Sequence, residues 1–196
     1  MVSEYAWLKE LTKVICFVPV YVEGVGGGNF TEVWMEDGRK YLVKKKIKTV
    51  LKNVASFLGV DIRQVYAAWA VEGRKYVRPL ALGPYMTLVP VPVRRPRTRD
   101  EGATGYVVVQ KVYSCSRVQK EEAPKGFQSV IQFEGGQKLF CLIKFERLAP
   151  RIQEGQNVRQ QSQKLHEGLA REPLMEKPGT YMTIRVNKDT GEILVF

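Results

Sequence analysis

The spacing of apolar positions changes several times along the chain, and each change marks a structural element. Residues 14–22 (VICFVPVYV) read as an extended, β-rich stretch in which Pro19, lacking an N–H for a ladder, points to an edge or a bulge. Residues 31–35 (TEVWM) alternate with period two, Glu36-Asp37-Gly38 is turn chemistry, and residues 41–43 resume a strand, so an antiparallel meander opens the chain. At Ile47 the period lengthens. Ile47, Val50, Leu51, Val54, Phe57 and Leu58 recur at three and four, with Lys48, Lys52 and Asn53 off the stripe, which predicts an amphipathic helix stopped by Gly59. A second helix is predicted from Asp61, a plausible N-cap, to about Val71, with Ile62, Val65, Tyr66 and Trp69 on its apolar side. Two helices joined at Gly59-Val60 also admit a helix-turn-helix, although only Arg63 and Gln64 would be there to read bases.

Residues 79–93 (PLALGPYMTLVPVPV) are extended and broken by proline, as expected at a sheet edge. They run into RRPRTR. Residues 106–112 predict a central strand, 115–126 a charged loop, and 127–133 with 138–145 a hairpin closed by Gly135-Gly136 as a two-residue turn. Beyond Pro150 the segment RIQEGQNVRQQSQKLHEGLARE has only scattered apolar anchors, Ile152, Val158, Leu165 and Leu169, and reads as a mostly exposed helix or helical linker. The last residues, YMTIRV and EILVF around NKDTG, predict a hairpin packed on the same domain or on a partner. The fold class expected is α+β: one domain of antiparallel sheet and hairpins with a central helix pair, residues 1–178, followed by the C-terminal hairpin, 179–196.

Charge adds what periodicity does not. The 196 residues hold 31 Lys and Arg against 20 Asp and Glu, a net +11, which favours a polyanionic partner. No apolar run approaches the ~18 residues of a membrane span, and the N-terminus carries acids where a signal peptide needs an apolar core, so a cytoplasmic protein without a membrane partner is expected. Cys16, Cys115 and Cys141 are odd in number and two lie in apolar runs, the pattern of reduced thiols. The lone His166 cannot complete a common zinc site with them. The Gly24 to Gly28 loop lacks the lysine ending of a phosphate loop. Neither a catalytic constellation nor a cofactor is expected. The acid pairs Glu36-Asp37, Asp100-Glu101 and Glu121-Glu122 leave a metal-dependent nuclease as a minor alternative.

The basic residues fall into three clusters. The first runs from Arg39 and Lys40 through Lys44, Lys45, Lys46, Lys48 and Lys52 with no acid between Asp37 and Asp61; the second is Arg74, Lys75 and Arg78; the third is Arg94, Arg95, Arg97 and Arg99. A solvated surface accounts for any one of them, but Coulomb attraction to a duplex sums over all three. In RRPRTR the proline restricts the backbone, and arginines on such a loop suit a narrow A/T minor groove where negative potential is concentrated. The lysines at 44–46 suit phosphate neutralisation. RNA binding is the runner-up, with Trp34, Tyr41 and Phe127 as possible stacking platforms.

From Ile47 through Ser162 the chain resembles the bacterial competence transcription factor ComK and its relatives. The resemblance lies in an ordered series: the helix KTVLKNVASFLG, Gly73-Arg74-Lys75, the apolar LALGPYMTLVP ending at Pro90, the aromatic strand start Gly105-Tyr106-Val107, the hairpin FEGGQKLFCLIKF, and the glutamines between Asn157 and Gln163. It implies a transcriptional activator of competence genes that binds paired A-rich and T-rich boxes, chiefly through the minor groove, as a homodimer or a DNA-induced oligomer. The chain departs from the family at residues 91–95, in the longer interval between Gly59 and Gly73, and in its C-terminal hairpin, so no adaptor-binding tail is carried over.

Overall fold

Two three-stranded meanders meet at the centre of the molecule. The computed structural model describes residues 5–22, 30–68, 78–97, 101–119, 124–171, 184–186 and 193–195. The first meander is β1 (Val14–Val20), β2 (Phe30–Met35) and β3 (Lys40–Val43); the second is β4 (Leu80–Ala81), β5 (Thr87–Pro92) and β6 (Thr104–Val108). They join through β1 and β6 into one antiparallel six-stranded sheet, ordered β3-β2-β1-β6-β5-β4. Between the meanders lie α1 (Ile47–Phe57) and α2 (Ile62–Ala68). A 3-10 turn, Val109–Lys111, then carries the chain into a three-stranded sheet of β7 (Val112–Arg117), β8 (Ser129–Phe133) and β9 (Lys138–Cys141), and α3 (Phe145–Arg171) follows. The α+β class, the antiparallel sheets and the helix pair are those the sequence predicts.

Side-chain alternation gives each face of the large sheet its own core. Phe17, Val33, Leu88 and Val108 pack with α1 and an N-terminal 3-10 stretch, Ala6–Lys13, whose Trp7 is fully buried. Ile15, Val89, Val107 and Val109 face the other way, against Ile131 and Phe133 of the small sheet and Leu148 and Ile152 of α3. A bulge between Val14 and Cys16 sends Ile15 and Cys16 to the same core.

Several local expectations are corrected. The run at 106–112 is not one strand, because the turn at 109–111 breaks it as the chain changes sheets. Cys115, Ser116 and Arg117 belong to β7, not to a loop. Both hairpin turns are three-residue loops with glycine left-handed at the third position, Gly38 at φ 89° and Gly136 at φ 79°, closed by Met35 N–H to Arg39 O and Phe133 N–H to Gln137 O. β5 is not an outer strand, yet Pro90 and Pro92 lie beyond the two residues that β4 pairs, so no β4 ladder is lost. On α1 the stripe stays buried through Val54, whereas Phe57 is 56% exposed and Leu58 38% exposed. The segment after Pro150 is the body of α3, packed through Leu148, Ile152, Gly155, Val158 and Ser162. The C-terminal hairpin is seen as Ile184–Val186 paired antiparallel with Ile193–Val195. Trp69, Val71 and the loop at 24–28 lie outside the described residues. Among the described residues no helix is long and apolar enough to cross a membrane.

The 3-10 stretch is tied down by charge at one end of the sheet. Arg39 Nη2 lies 2.7 Å and Lys13 Nζ 3.0 Å from Glu10 Oε2, and these partners hold the Glu10 carboxyl at about 2, below its ordinary 4.5. A depressed carboxyl contributes stability that is complete above its unfolded pKa and is lost as pH falls through the folded one. Wild type and Glu10→Gln are therefore expected to differ by a constant urea midpoint above pH 4.5 and to converge as pH approaches 2. A difference that persists unchanged at pH 2 would contradict this pairing.

Candidate nucleic-acid interface

Antiparallel order decides which basic residues meet. The pairings Val43 with Thr31, Val20 with Phe30 and Pro92 with Thr104 put the exits of β1, β3 and β5 at one end of the large sheet. Lys44, Lys45 and Lys46 leave β3 there, and Arg94, Arg95 and Arg97 leave β5 there. The two groups touch through their flanks, since a Cβ on Gly102 would lie 3.6 Å from Ile47 Cγ2. Lys48 and Lys52 extend the lysine run along the exposed face of α1, opposite buried Val50, Leu51 and Val54.

The lysine run is held by its backbone. Buried Thr31 donates its hydroxyl to Lys45 O at 2.9 Å, and Lys46 O accepts Val50 N–H as α1 begins. The first turn of α1 has no acid and its N-cap is Lys46, so like charges crowd the positive end of the helix dipole. That arrangement costs stability in the free protein and favours an anion.

The arginine loop is ordered around Tyr21, just past β1. Tyr21 Oη donates to Glu101 Oε2 at 2.6 Å and lies 3.2 Å from Arg95 O; Arg97 N–H reaches Tyr21 Oη at 3.0 Å and Glu101 Oε2 at 2.6 Å. Arg94 and Arg97 lie over the Tyr21 ring, with guanidinium carbons 4.1 and 4.4 Å from its centroid. Arg94 Nε also donates to Gly102 O at 2.6 Å, and burial pulls its pKa down. Arg95 and Arg97 are exposed, whereas Arg94 is half-buried.

Sequence reasoning missed three cations at this end: Arg117, Lys125 and Lys144. Leu142 N–H donates to Pro92 O at 2.9 Å, and a Cβ on Gly126 would lie 3.6 Å from Arg95 Nη2, so the end of the small sheet abuts the arginine loop. Arg117 pairs with Glu146 at 2.6 Å. No local motif signals these residues; only strand pairing gathers them.

Other candidates fall elsewhere. β3 carries Arg39 to the opposite end of the sheet, where Glu10 and Asp37 bind it, and Glu36 there binds Lys111. Arg78 lines an open groove of about 780 Å³ along α3 with Glu146, Arg147, Arg151 and Glu154, on the face away from α1. Arg74, Lys75 and Arg99 lie outside the described residues, as do Asp100, Glu121 and Glu122. On α2, Arg63 and Gln64 are exposed and Asp61 Oδ1 accepts Arg63 N–H at 2.8 Å, the capping bond expected. Of the aromatic platforms, Trp34 donates to Glu32 and lies under Lys40, Tyr41 meets Arg39, and Phe127 packs on Phe140. Cys16 and Cys141 are buried free thiols, the latter pushed up to about 12 by burial. Among the described residues no three His, Cys, Asp or Glu gather as a metal site.

No protein-family model, curated protein or solved structure matches the chain. The resemblance to ComK accordingly rests on the residues quoted for it and on nothing further.

Proposed function

We propose that this protein binds double-stranded DNA through the basic end of its large sheet and works as a cytoplasmic transcriptional regulator preferring A/T-rich sites. The observation that carries the reading is the convergence of 44–46 and 94–97, some fifty positions apart in sequence, at one sheet end, while Arg39 is neutralised at the other. Lys44, Lys45, Lys46, Lys48 and Lys52 then neutralise phosphates along α1, and Arg95 and Arg97 enter the minor groove, where a narrow A/T tract concentrates negative potential. Arg94 braces the loop from behind. The regulatory role comes from the ComK resemblance, as does assembly into a homodimer or a DNA-induced oligomer. Light scattering with and without a long duplex tests that assembly, and a monomer in both conditions would remove it.

Competition among A/T-rich duplex, G/C-rich duplex and single-stranded RNA at one salt concentration tests the partner. A/T-rich duplex is expected to compete best; equal or better competition by RNA would overturn the reading. Changing Lys44 and Lys45 to alanine is expected to weaken all duplexes alike and to reduce the salt slope by roughly one unit for each phosphate no longer neutralised. A weakening confined to A/T-rich duplex would reassign those lysines as readers.

A further inference from the structure

We infer that Tyr21 and Glu101 are positioning residues for DNA reading: together they hold Arg95 and Arg97 in their binding form before DNA arrives. The inference rests on the duplex-binding reading and assigns to that site two residues that carry no positive charge.

The chemistry of the loop supports the assignment. Pro96 fixes one backbone torsion between the two reading arginines. The bonds beyond it fix much of the rest, because the Arg97 N–H is shared between Tyr21 Oη and Glu101 Oε2, while the Tyr21 hydroxyl, its proton given to Glu101, stands 3.2 Å from the Arg95 carbonyl on the other side of Pro96. Glu101 Oε2 closes the ring by accepting from both Tyr21 and Arg97 N–H at 2.6 Å. Without this clamp, mutual repulsion among three arginines in four residues would spread the loop, and DNA would have to order it at an entropic cost. The Tyr21 ring offers a π face to the Arg94 and Arg97 cations without neutralising them. Glu101 is the informative member. A carboxylate among DNA-facing arginines repels phosphate, so its presence there is unfavourable for charge and favourable for order.

Positioning and charge make opposite predictions at Glu101. Glu101→Gln removes the repulsion and weakens the clamp, so affinity for G/C-rich duplex is expected to rise about 2- to 3-fold while the ratio of A/T-rich to G/C-rich affinity falls. Tyr21→Phe keeps the ring and removes the hydroxyl, and Tyr21→Leu removes both. Each is expected to lower that ratio about 5- to 10-fold, with leucine the greater, at an unchanged salt slope because every phosphate-neutralising cation is kept. A merely structural defect would weaken both duplexes together and leave the ratio alone.

The free protein supplies a second measurement. Trypsin cleavage after Arg97 is expected to be several-fold faster in Tyr21→Phe and Tyr21→Leu than in wild type, because an ordered loop must open before cleavage. The experiment is thus the affinity ratio, salt slope and cleavage rate for wild type and the three variants. Unchanged cleavage in both Tyr21 variants overturns the clamp. Faster cleavage with an unchanged affinity ratio overturns its role in DNA reading. A wild type with no duplex affinity overturns the DNA-binding reading itself and with it this role, while the cleavage rates still report whether Tyr21 orders the loop.

Discussion

Alanine at both Arg95 and Arg97 is expected to lower the ratio of A/T-rich to G/C-rich affinity by roughly 10- to 100-fold, about 1–3 kcal/mol. Both side chains are exposed on a loop whose backbone is bonded to Tyr21 and Glu101. Their gain from a narrow groove depends on local sequence, whereas that of the α1 lysines depends on phosphate, which every duplex carries. The double variant therefore loses preference out of proportion to its loss of charge. The rival arrangement, α2 in the major groove, places discrimination on Arg63 and Gln64. The measurement is the affinity ratio for Arg95→Ala/Arg97→Ala and for Arg63→Ala/Gln64→Ala at one salt concentration. A ratio kept by the loop variant and lost by the helix variant would move the reading element to α2.

A second large effect is expected far from the charge. At Gly155 α3 lies close against the large sheet: a Cβ there would run into Val89 Cγ2 and stand 3.3 Å from Val109 Cγ2. The helix cannot retreat cheaply, because Leu148 and Ile152 are buried on the same side and Ser162 Oγ reaches Gly83 O at 3.4 Å. Gly155→Val is expected to destabilise the fold by about 3 kcal/mol, at the upper end of ordinary overpacking. Gly155→Ala should lose less, since alanine regains about 1 kcal/mol of helix propensity. Gly168, on the same helix with nothing near its missing Cβ, supplies the control. Gly168→Ala is expected to stabilise by roughly 0.5–1 kcal/mol. Urea midpoints for the three variants decide the matter, and a Gly155→Val protein as stable as wild type would mean that α3 does not approach the sheet there.

These two sites show what was legible in the sequence. α1, α2, the first meander and the hairpin at 129–141 follow from periodicity and turn residues, because large apolar side chains mark their buried faces. α3 was underread because its packing stripe alternates Leu148, Ile152 and Val158 with Gly155 and Ser162, and small residues pack closely without any apolar signal. The 3-10 stretch holding Trp7 has neither the helix nor the strand period over enough residues to be seen. Phe57 and Leu58 continue the stripe of α1 in sequence but lie past the point where the helix covers the core. The lysines and arginines of the site were visible as clusters. Their union at one end of the sheet was not, because it depends on β1 pairing β6 across the two meanders. Tyr21 and Glu101 stand eighty positions apart and carry no motif; only their bonds join them.

The dependence of duplex affinity on salt tests the central claim most directly. If the basic end of the sheet lies along DNA, Lys44, Lys45, Lys46, Lys48 and Lys52 neutralise phosphates together, and the exposed cations Arg95 and Arg97 release further counterions on entering the minor groove. A plot of log affinity against log salt for wild type and A/T-rich duplex should then fall with a slope of about −5 or steeper, losing roughly 10³ in affinity between ~50 and ~200 mM. A slope shallower than about −2, the mark of one or two phosphates, would contradict a single DNA-binding surface at this end of the molecule.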